Sequence, residues 1–547
     1  MDIIYRKKYL FLFGSGIIFA LPFLFPQLHI ISFFAAVPLF YIFFRELTHT
    51  KNKAVKLKAF TRYIIIFAMS FYLLVYIWFL WFYPLDFAGL SSAQSMFVTI
   101  CAWWGFPIIQ TIAILILPIG LFLTRNIGSR KPFMLPLLSA SLYVVVEWVQ
   151  SWFLTGLTWA KLSISQYQNL YAIQSISVFG TYFTSFIIIF INANIALYLC
   201  NKSNESNKSS KDISAKKNNA LILMSVLIYL LNIGFGVCRV AFYQYPEDSD
   251  MITAQIVQGN LSSVEKWENT GAMYSIEKHT NLAVENIKTK KPDISVWSET
   301  AVPASVYYKS RIYNILSDIA IENDISIITG VFFDDLENDK QYNSIMAFLP
   351  PPNEDIFITP YNKRHLVPFG EYLPLEDLLS AVFPFVANMT MFDATINWGE
   401  GDNLMEIDGV KYGGLVCFDS IFPELARSSV RAGANILVVV TNDSWYKDSI
   451  GIYQHNAQSV LRAVENNRYV IRSANTGISS FISPIGEILM KTEVNQDEVI
   501  TCDVGVIEGN KTIYTLCGDI ILYFAVVCII VCVILHCFVG RGAPDTP

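Results

Sequence analysis

Apolar residues fall into two kinds of block along this chain. In the first half they form long runs. Two segments within 9–44 flank Pro26-Gln27, and runs follow at 60–83, 95–124, 133–153, 171–200 and 220–242, with a last one at 520–539. A bilayer core takes about 20 apolar residues per helix, and helices buried in a large soluble core would carry polar faces that these runs mostly lack. The pattern predicts a polytopic α-helical membrane protein with about eight transmembrane helices.

Between 244 and 518 the runs become short and β-branched. Strand-like segments lie at 254–257, 294–297, 326–331, 344–348, 410–416, 436–440, 469–473, 479–483 and 499–504. Helical spacing of apolar residues appears at 272–287, 312–322 and 452–468. This alternation predicts one α/β domain. The chain divides accordingly into a membrane domain at 1–243, an α/β domain at 244–518, and a last helix with a tail at 519–547.

Loop charge orients the helices. Arg6, Lys7 and Lys8 precede the first; Lys51, Lys53, Lys56 and Lys58 lie between the second and third. Arg125, Arg130 and Lys131 come after the fourth, and Lys202, Lys208, Lys211, Lys216 and Lys217 after the sixth. The alternate loops hold almost none. The N-terminus is therefore expected in the cytoplasm and the α/β domain outside the membrane.

Composition agrees with this reading: charged residues are 15% against roughly 25% in soluble proteins. A net charge of −6 gives no reason to expect a nucleic-acid partner. Of the nine cysteines, Cys101, Cys200, Cys238, Cys528, Cys532 and Cys537 lie in apolar stretches. Cys417, Cys502 and Cys517 form neither a CxxC pair nor a zinc pattern, and the histidines have no ligand spacing, so no metal is called for. Glu147 stands out as an acidic residue in an apolar run, within the bilayer or at an interface rich in Trp148, Trp152 and Trp159. Other intramembrane charge is scarce, which argues against a transporter.

The chemistry gathers at the ends of strands. The run Gly413-Gly414-Leu415-Val416-Cys417 stops at a cysteine, and Pro423-Glu424 suits a first helical turn. Cys417 then sits on a sharp turn where backbone N–H groups can stabilise an oxyanion; a buried core cysteine is the plainer alternative. Glu299 ends 294–298, and Lys363 stands in Asn362-Lys363-Arg364-His365-Leu366-Val367-Pro368-Phe369-Gly370-Glu371. Together they make an acyl-transfer set: thiol nucleophile, carboxylate base and oxyanion-binding ammonium. Taken singly, Glu299 and Lys363 also suit a structural ion pair.

These motifs, in this order, resemble the nitrilase (carbon–nitrogen hydrolase) superfamily, and more closely its membrane branch, the apolipoprotein N-acyltransferases. Gln258-Gly259-Asn260 with Lys266-Trp267, Thr441-Asn442-Asp443-Ser444-Trp445, and Glu147-Trp148 through Thr155-Gly156 extend the resemblance over nearly the whole chain. It implies a nitrilase-like αββα sandwich on the outer side of the bacterial cytoplasmic membrane. Glu299 would be the base, Lys363 the oxyanion stabiliser and Cys417 the nucleophile. Glu371, Asp419 and Phe418 would support them, and Trp267, Asn343 and Trp445 would line the substrate pocket. The implied reaction is ping-pong. A phospholipid acylates Cys417 as a thioester, and the α-amino group of a lipoprotein's N-terminal diacylglyceryl-cysteine accepts the chain. No cofactor is implied, and a monomer is expected.

The family usually carries Cys-Tyr-Glu where this chain has Cys417-Phe418-Asp419. Cys-Tyr-Asp is familiar from soluble amide-hydrolysing members, so a membrane-tethered amidase or hydrolase is the second reading. A catalytically silent membrane protein that recruits partners is the third. Residues 375–397, with Phe383, Phe385, Met389, Met391 and Phe392, suggest a lipid-gating lid.

Overall fold

A computed structural model describes residues 2–49, 56–85, 90–152, 156–205, 211–247, 250–262, 265–266, 270–288, 290–354, 356–374, 377, 381 and 396–541. Trp267 and the apolar residues Phe383, Phe385, Met389, Met391 and Phe392 lie outside them. The chain forms two compact units: Met1–Ile77, Ile100–Phe242 and Cys517–Pro547 make one, Trp78–Thr99 and Tyr243–Leu516 the other.

The first unit is helical. Seven helices are long and apolar enough to cross a membrane among the described residues: Pro26–Thr48, Leu57–Val75, Ser92–Leu123, Pro132–Trp152, Thr181–Ser203, Asn218–Ala241 and Ile520–Phe538. The eighth expected span, Lys8–Leu24, has 17 residues. Its rise of about 26 Å falls short of a hydrocarbon core of about 30 Å, because Pro26 starts a separate 3-10 segment. The run at 171–200 is also interrupted. Gly180, at φ +76°, ends the short helix Ile176–Phe179, and a new helix starts at Thr181. Glu147 is buried inside this unit, where its Oε1 accepts the Leu162 N–H at 2.9 Å. Trp148 and Trp152 are exposed on the same helix, whereas Trp159 is buried.

The second unit is built on two sheets. Its strands are β1 (Met251–Gln258), β2 (Ile294–Trp297), β3 (Val302–Val306), β4 (Ser326–Asp335), β5 (Lys340–Phe348) and β6 (Tyr361–Asn362). Then come β7 (Leu404–Ile407), β8 (Val410–Val416), β9 (Ile436–Thr441), β10 (Val470–Ala474), β11 (Ser480–Ile482), β12 (Ile488–Lys491) and β13 (Glu498–Gly505). One sheet runs β13-β1-β2-β4-β5-β6 with β3 beside β4; the other runs β12-β11-β10-β9-β8-β7.

Side chains alternate across each strand, and the two faces have different partners. Ile256, Val296, Ile328 and Ile345 of the first sheet meet Val416, Val438, Val440 and Ile471 of the second in one buried core. The opposite face of the first sheet, with Trp297 and Ile327, packs on Ile276 and Ala283 of helix Gly271–Ile287 and Leu316 and Ala320 of helix Arg311–Asn323. Helices Pro423–Ala432 and Ile450–Asn466 cover the second sheet. The layers are thus αββα, and the parallel strands β1, β2, β4, β8, β9 and β10 carry the functional loops at their carboxyl ends.

The segment Trp78–Thr99 packs with this unit. Trp78 and Phe82 place their rings 5.0 and 6.3 Å from that of Tyr446. Lys447 Nζ donates to the Tyr83 carbonyl at 2.7 Å, and Trp81 Nε1 donates to Asp448 Oδ1 at 3.1 Å.

Candidate active site

Three strand ends and the interior of a fourth strand deliver the polar residues. β2 ends at Trp297, and the chain turns sharply through Glu299 and Thr300, the latter at φ +46°. β4 passes directly under this turn: a Cβ on Gly330 would lie 2.6 Å from Glu299 Cα. Only glycine admits that approach. β5 carries Asn343, β6 leads into Lys363, and β8 ends at Cys417.

Cys417 opens a 3-10 turn, Cys417–Ile421, followed by the helix that Pro423 begins. Its φ is +49°, a left-handed conformation that costs a non-glycine residue roughly 1 kcal/mol. Phe418, the second residue of the turn, has a backbone N–H with no acceptor inside it. The strand–turn–helix predicted from Gly413 to Glu424 is what forms.

Glu299, Lys363, Asn343 and Glu371 make one buried network. Lys363 Nζ lies 3.2 Å from Glu299 Oε1 and 2.8 Å from Glu371 Oε2. Asn343 Nδ2 donates to Glu299 Oε1 and to Glu371 Oε1, each at 2.8 Å. The backbone contributes as well: Asn442 N–H donates to Glu299 Oε2 and Val367 N–H to Glu371 Oε2, both at 2.8 Å. An ammonium has three N–H bonds; Nζ also lies 2.9 Å from Glu371 Oε1, so sharing one N–H between the two Glu371 oxygens and giving one to Glu299 leaves a third.

The charges are mutually held. Burial alone would raise the Glu299 carboxyl, but the Lys363 ammonium, Asn343 and the Asn442 N–H outweigh it and leave it below its usual range. Burial works against charge on Lys363 too, yet the two glutamates hold it above the ordinary lysine value. Burial pushes the Cys417 thiol up and Glu299 adds to the rise, while Lys363 pulls the other way without cancelling it. At neutral pH the resting site is a carboxylate, an ammonium and a protonated thiol.

The other expected residues take distinct places. Glu371 supports Lys363 directly. Asn343 joins the two carboxylates, a stronger engagement than lining a pocket. Trp445 is half-buried in the 3-10 turn Asp443–Tyr446, and Phe418 is buried with its ring 5.1 Å from that of Phe422. Asp419, fully buried, faces neighbouring loops. Its carboxylate accepts from His365 N–H at 2.8 Å, Tyr361 O–H at 3.0 Å and Val416 N–H at 3.2 Å. It thereby ties the Lys363 segment to the Cys417 turn. Asp419→Ala would strand these donors in the interior, and we expect it to lower stability by about 3 kcal/mol. Thermal unfolding in detergent measures the loss, and acyl transfer should fall with it.

Lys266 is a participant to which sequence reasoning assigned no role. It is buried, its Nζ donates to the Glu299 carbonyl at 3.3 Å, and burial pushes its pKa down to about 7 against the pull of Glu299. Its place beside Trp267 in the family-like segment was the available signal.

Comparison with known proteins follows the same division of the chain. Residues 239–508 match the carbon-nitrogen hydrolase family model, and residues 15–194 match that of the apolipoprotein N-acyltransferase N-terminal domain. A protein of Geobacter metallireducens named apolipoprotein N-acyltransferase is 32% identical over 415 residues, 75% of this chain and 74% of its own. A protein of the same name from Rickettsia prowazekii is 31% identical over 445 residues, covering 78% and 82%. One from Haemophilus influenzae is 28% identical over 390 residues, covering 70% and 71%. The likeness takes in the helical part and the αββα part together, and the chain belongs to the apolipoprotein N-acyltransferase family.

Proposed function

We propose that this protein transfers a fatty acyl chain from a membrane phospholipid to the free α-amino group of a lipoprotein's N-terminal diacylglyceryl-cysteine, through a thioester on Cys417. The observation that carries the reading is the buried Glu299–Lys363–Glu371 network beside a protonated thiol on a strained turn. Glu299 takes the Cys417 proton as sulfur attacks the ester carbonyl. The oxyanion is met by the remaining Lys363 N–H and by the Phe418 N–H. Collapse breaks the ester C–O bond, and the leaving lysophospholipid oxygen takes the proton from Glu299. In the second half the amine attacks the thioester, Glu299 accepts its proton, and the departing sulfur recovers it.

The setting fits lipid-anchored substrates. In sequence the α/β unit is entered from the span Asn218–Ala241 and left into the span Ile520–Phe538. Loop charge supports a cytoplasmic N-terminus, with this unit on the outer face of the cytoplasmic membrane.

Intact-protein mass spectrometry after mixing with phospholipid tests the reading. A fatty-acyl mass increase is expected on the protein, removed by hydroxylamine and discharged by a diacylglyceryl-cysteine peptide into a triacylated product. Discharge to free fatty acid alone would favour the hydrolase, and no adduct at all would end the phospholipid-donor mechanism.

A further inference from the structure

Behind the nucleophile lies a second buried polar system that the reaction as written does not use. Asp443, His455, Arg472 and Ser420 are each fully buried. Arg472 Nη2 donates to Asp443 Oδ2 at 2.8 Å, and Asp443 Oδ1 is 2.8 Å from His455 Nδ1. Burial would raise Asp443, but Arg472 and His455 outweigh it and leave its pKa at about 2, so the ionised oxygen takes the Nδ1–H. Nε2 at the other end of the ring stands 3.1 Å from Ser420 Oγ and 3.3 Å from the carbonyl oxygen of Cys417. The Ser420 hydroxyl itself donates to that carbonyl at 2.7 Å.

Burying three charged or ionisable side chains is costly, and apolar replacements in such places often fold as well or better. Here the chain of contacts ends on one peptide group, the one that follows a residue at φ +49°. A left-handed non-glycine residue persists only where its surroundings over-determine it. A trans peptide is planar, so fixing its C=O on one side aims its N–H to the other.

We infer that Ser420 is a positioning residue: its hydroxyl, donated to the Cys417 carbonyl and packed on the His455 ring that Asp443 and Arg472 hold, fixes that carbonyl and so aims the Phe418 N–H as an oxyanion donor. The inference rests on Cys417 being the nucleophile, but not on the identity of the acyl donor.

Two reactions of Cys417 separate this role from a structural one. Acylation by p-nitrophenyl butyrate passes through an oxyanion; alkylation by iodoacetamide does not. Both are followed in detergent, the first by nitrophenolate release and the second by peptide mass spectrometry at Cys417. In Ser420→Ala, acylation is expected to fall by about 10- to 100-fold in kcat with KM unchanged. Alkylation should stay within about threefold, since the thiol remains in place. Ser420→Thr, which keeps the hydroxyl, should recover much of the loss. Parallel loss of both reactions, or loss of neither, overturns the proposal. So does a wild type that is alkylated but never acylated by the ester. Acylation by the ester without acylation by phospholipid would instead remove the proposed donor and leave Ser420 its role.

Discussion

Cys417→Ala is expected to abolish acyl transfer, a fall of at least about 10⁴-fold, while the protein stays folded. In the proposed reaction both half-reactions pass through the thiol sulfur, and the remaining groups can only bind and polarise. Cys417→Ser should be nearly as inactive. Glu299 is held below the ordinary carboxyl range by Lys363 and its hydrogen bonds, so it is a weak base, and an alcohol is far harder to deprotonate than a thiol. Stability should follow another order. At φ +49° alanine keeps the left-handed strain, whereas glycine relieves about 1 kcal/mol of it. Cys417→Gly should therefore melt at or above Cys417→Ala despite its smaller side chain. Steady-state transfer and thermal unfolding of the three variants check both orders.

How much of this was legible in the sequence depended on whether the information was local. β2 and β8 were read with the bounds they have, because each is a short β-branched or glycine-bearing run that stops at a polar residue. The helix start at Pro423-Glu424 was equally local. The long spans were legible from length alone, but Lys8–Leu24 and the break at Gly180 were not, since a hydropathy run does not record where backbone geometry changes. Glu299, Lys363 and Cys417 could be named as a candidate set because their motifs resemble a family; spacing alone leaves Glu299 and Lys363 equally suited to a structural pair. The contacts joining β5 to the turn after β2, and Asp443 to His455 to the Cys417 carbonyl, cross the sheets and have no sequence period. For Asp419 the sequence offers a charge beside Cys417, and only the fold reveals that its hydrogen bonds reach His365 and Tyr361.

Lys363→Met is expected to cost both activity and stability, and only the stability loss should depend on pH. In the wild type, Glu299 sits below its ordinary 4.5. Its contribution to stability is present above 4.5 and fades as pH falls through the lower folded value. Lys363 sits above its ordinary 10.5, so its contribution is complete below 10.5 and fades only in strong alkali. Removing the ammonium leaves the buried Glu299 and Glu371 carboxylates joined by Asn343, without the ion pairs that Lys363 makes to them. Such a pair folds best when it holds a proton, so its carboxyl pKa now rises, and stability is present at acid pH and lost as pH increases. Thermal unfolding from pH 5 to 8 should show the variant closest to wild type at pH 5 and weaker by about 3 to 5 kcal/mol at pH 8. Acyl transfer should be down by about 10³-fold at both ends, because protonating a carboxylate restores the fold but supplies no donor at the oxyanion. A variant whose activity recovered along with its stability at pH 5 would mean that Lys363 serves only to neutralise the glutamates.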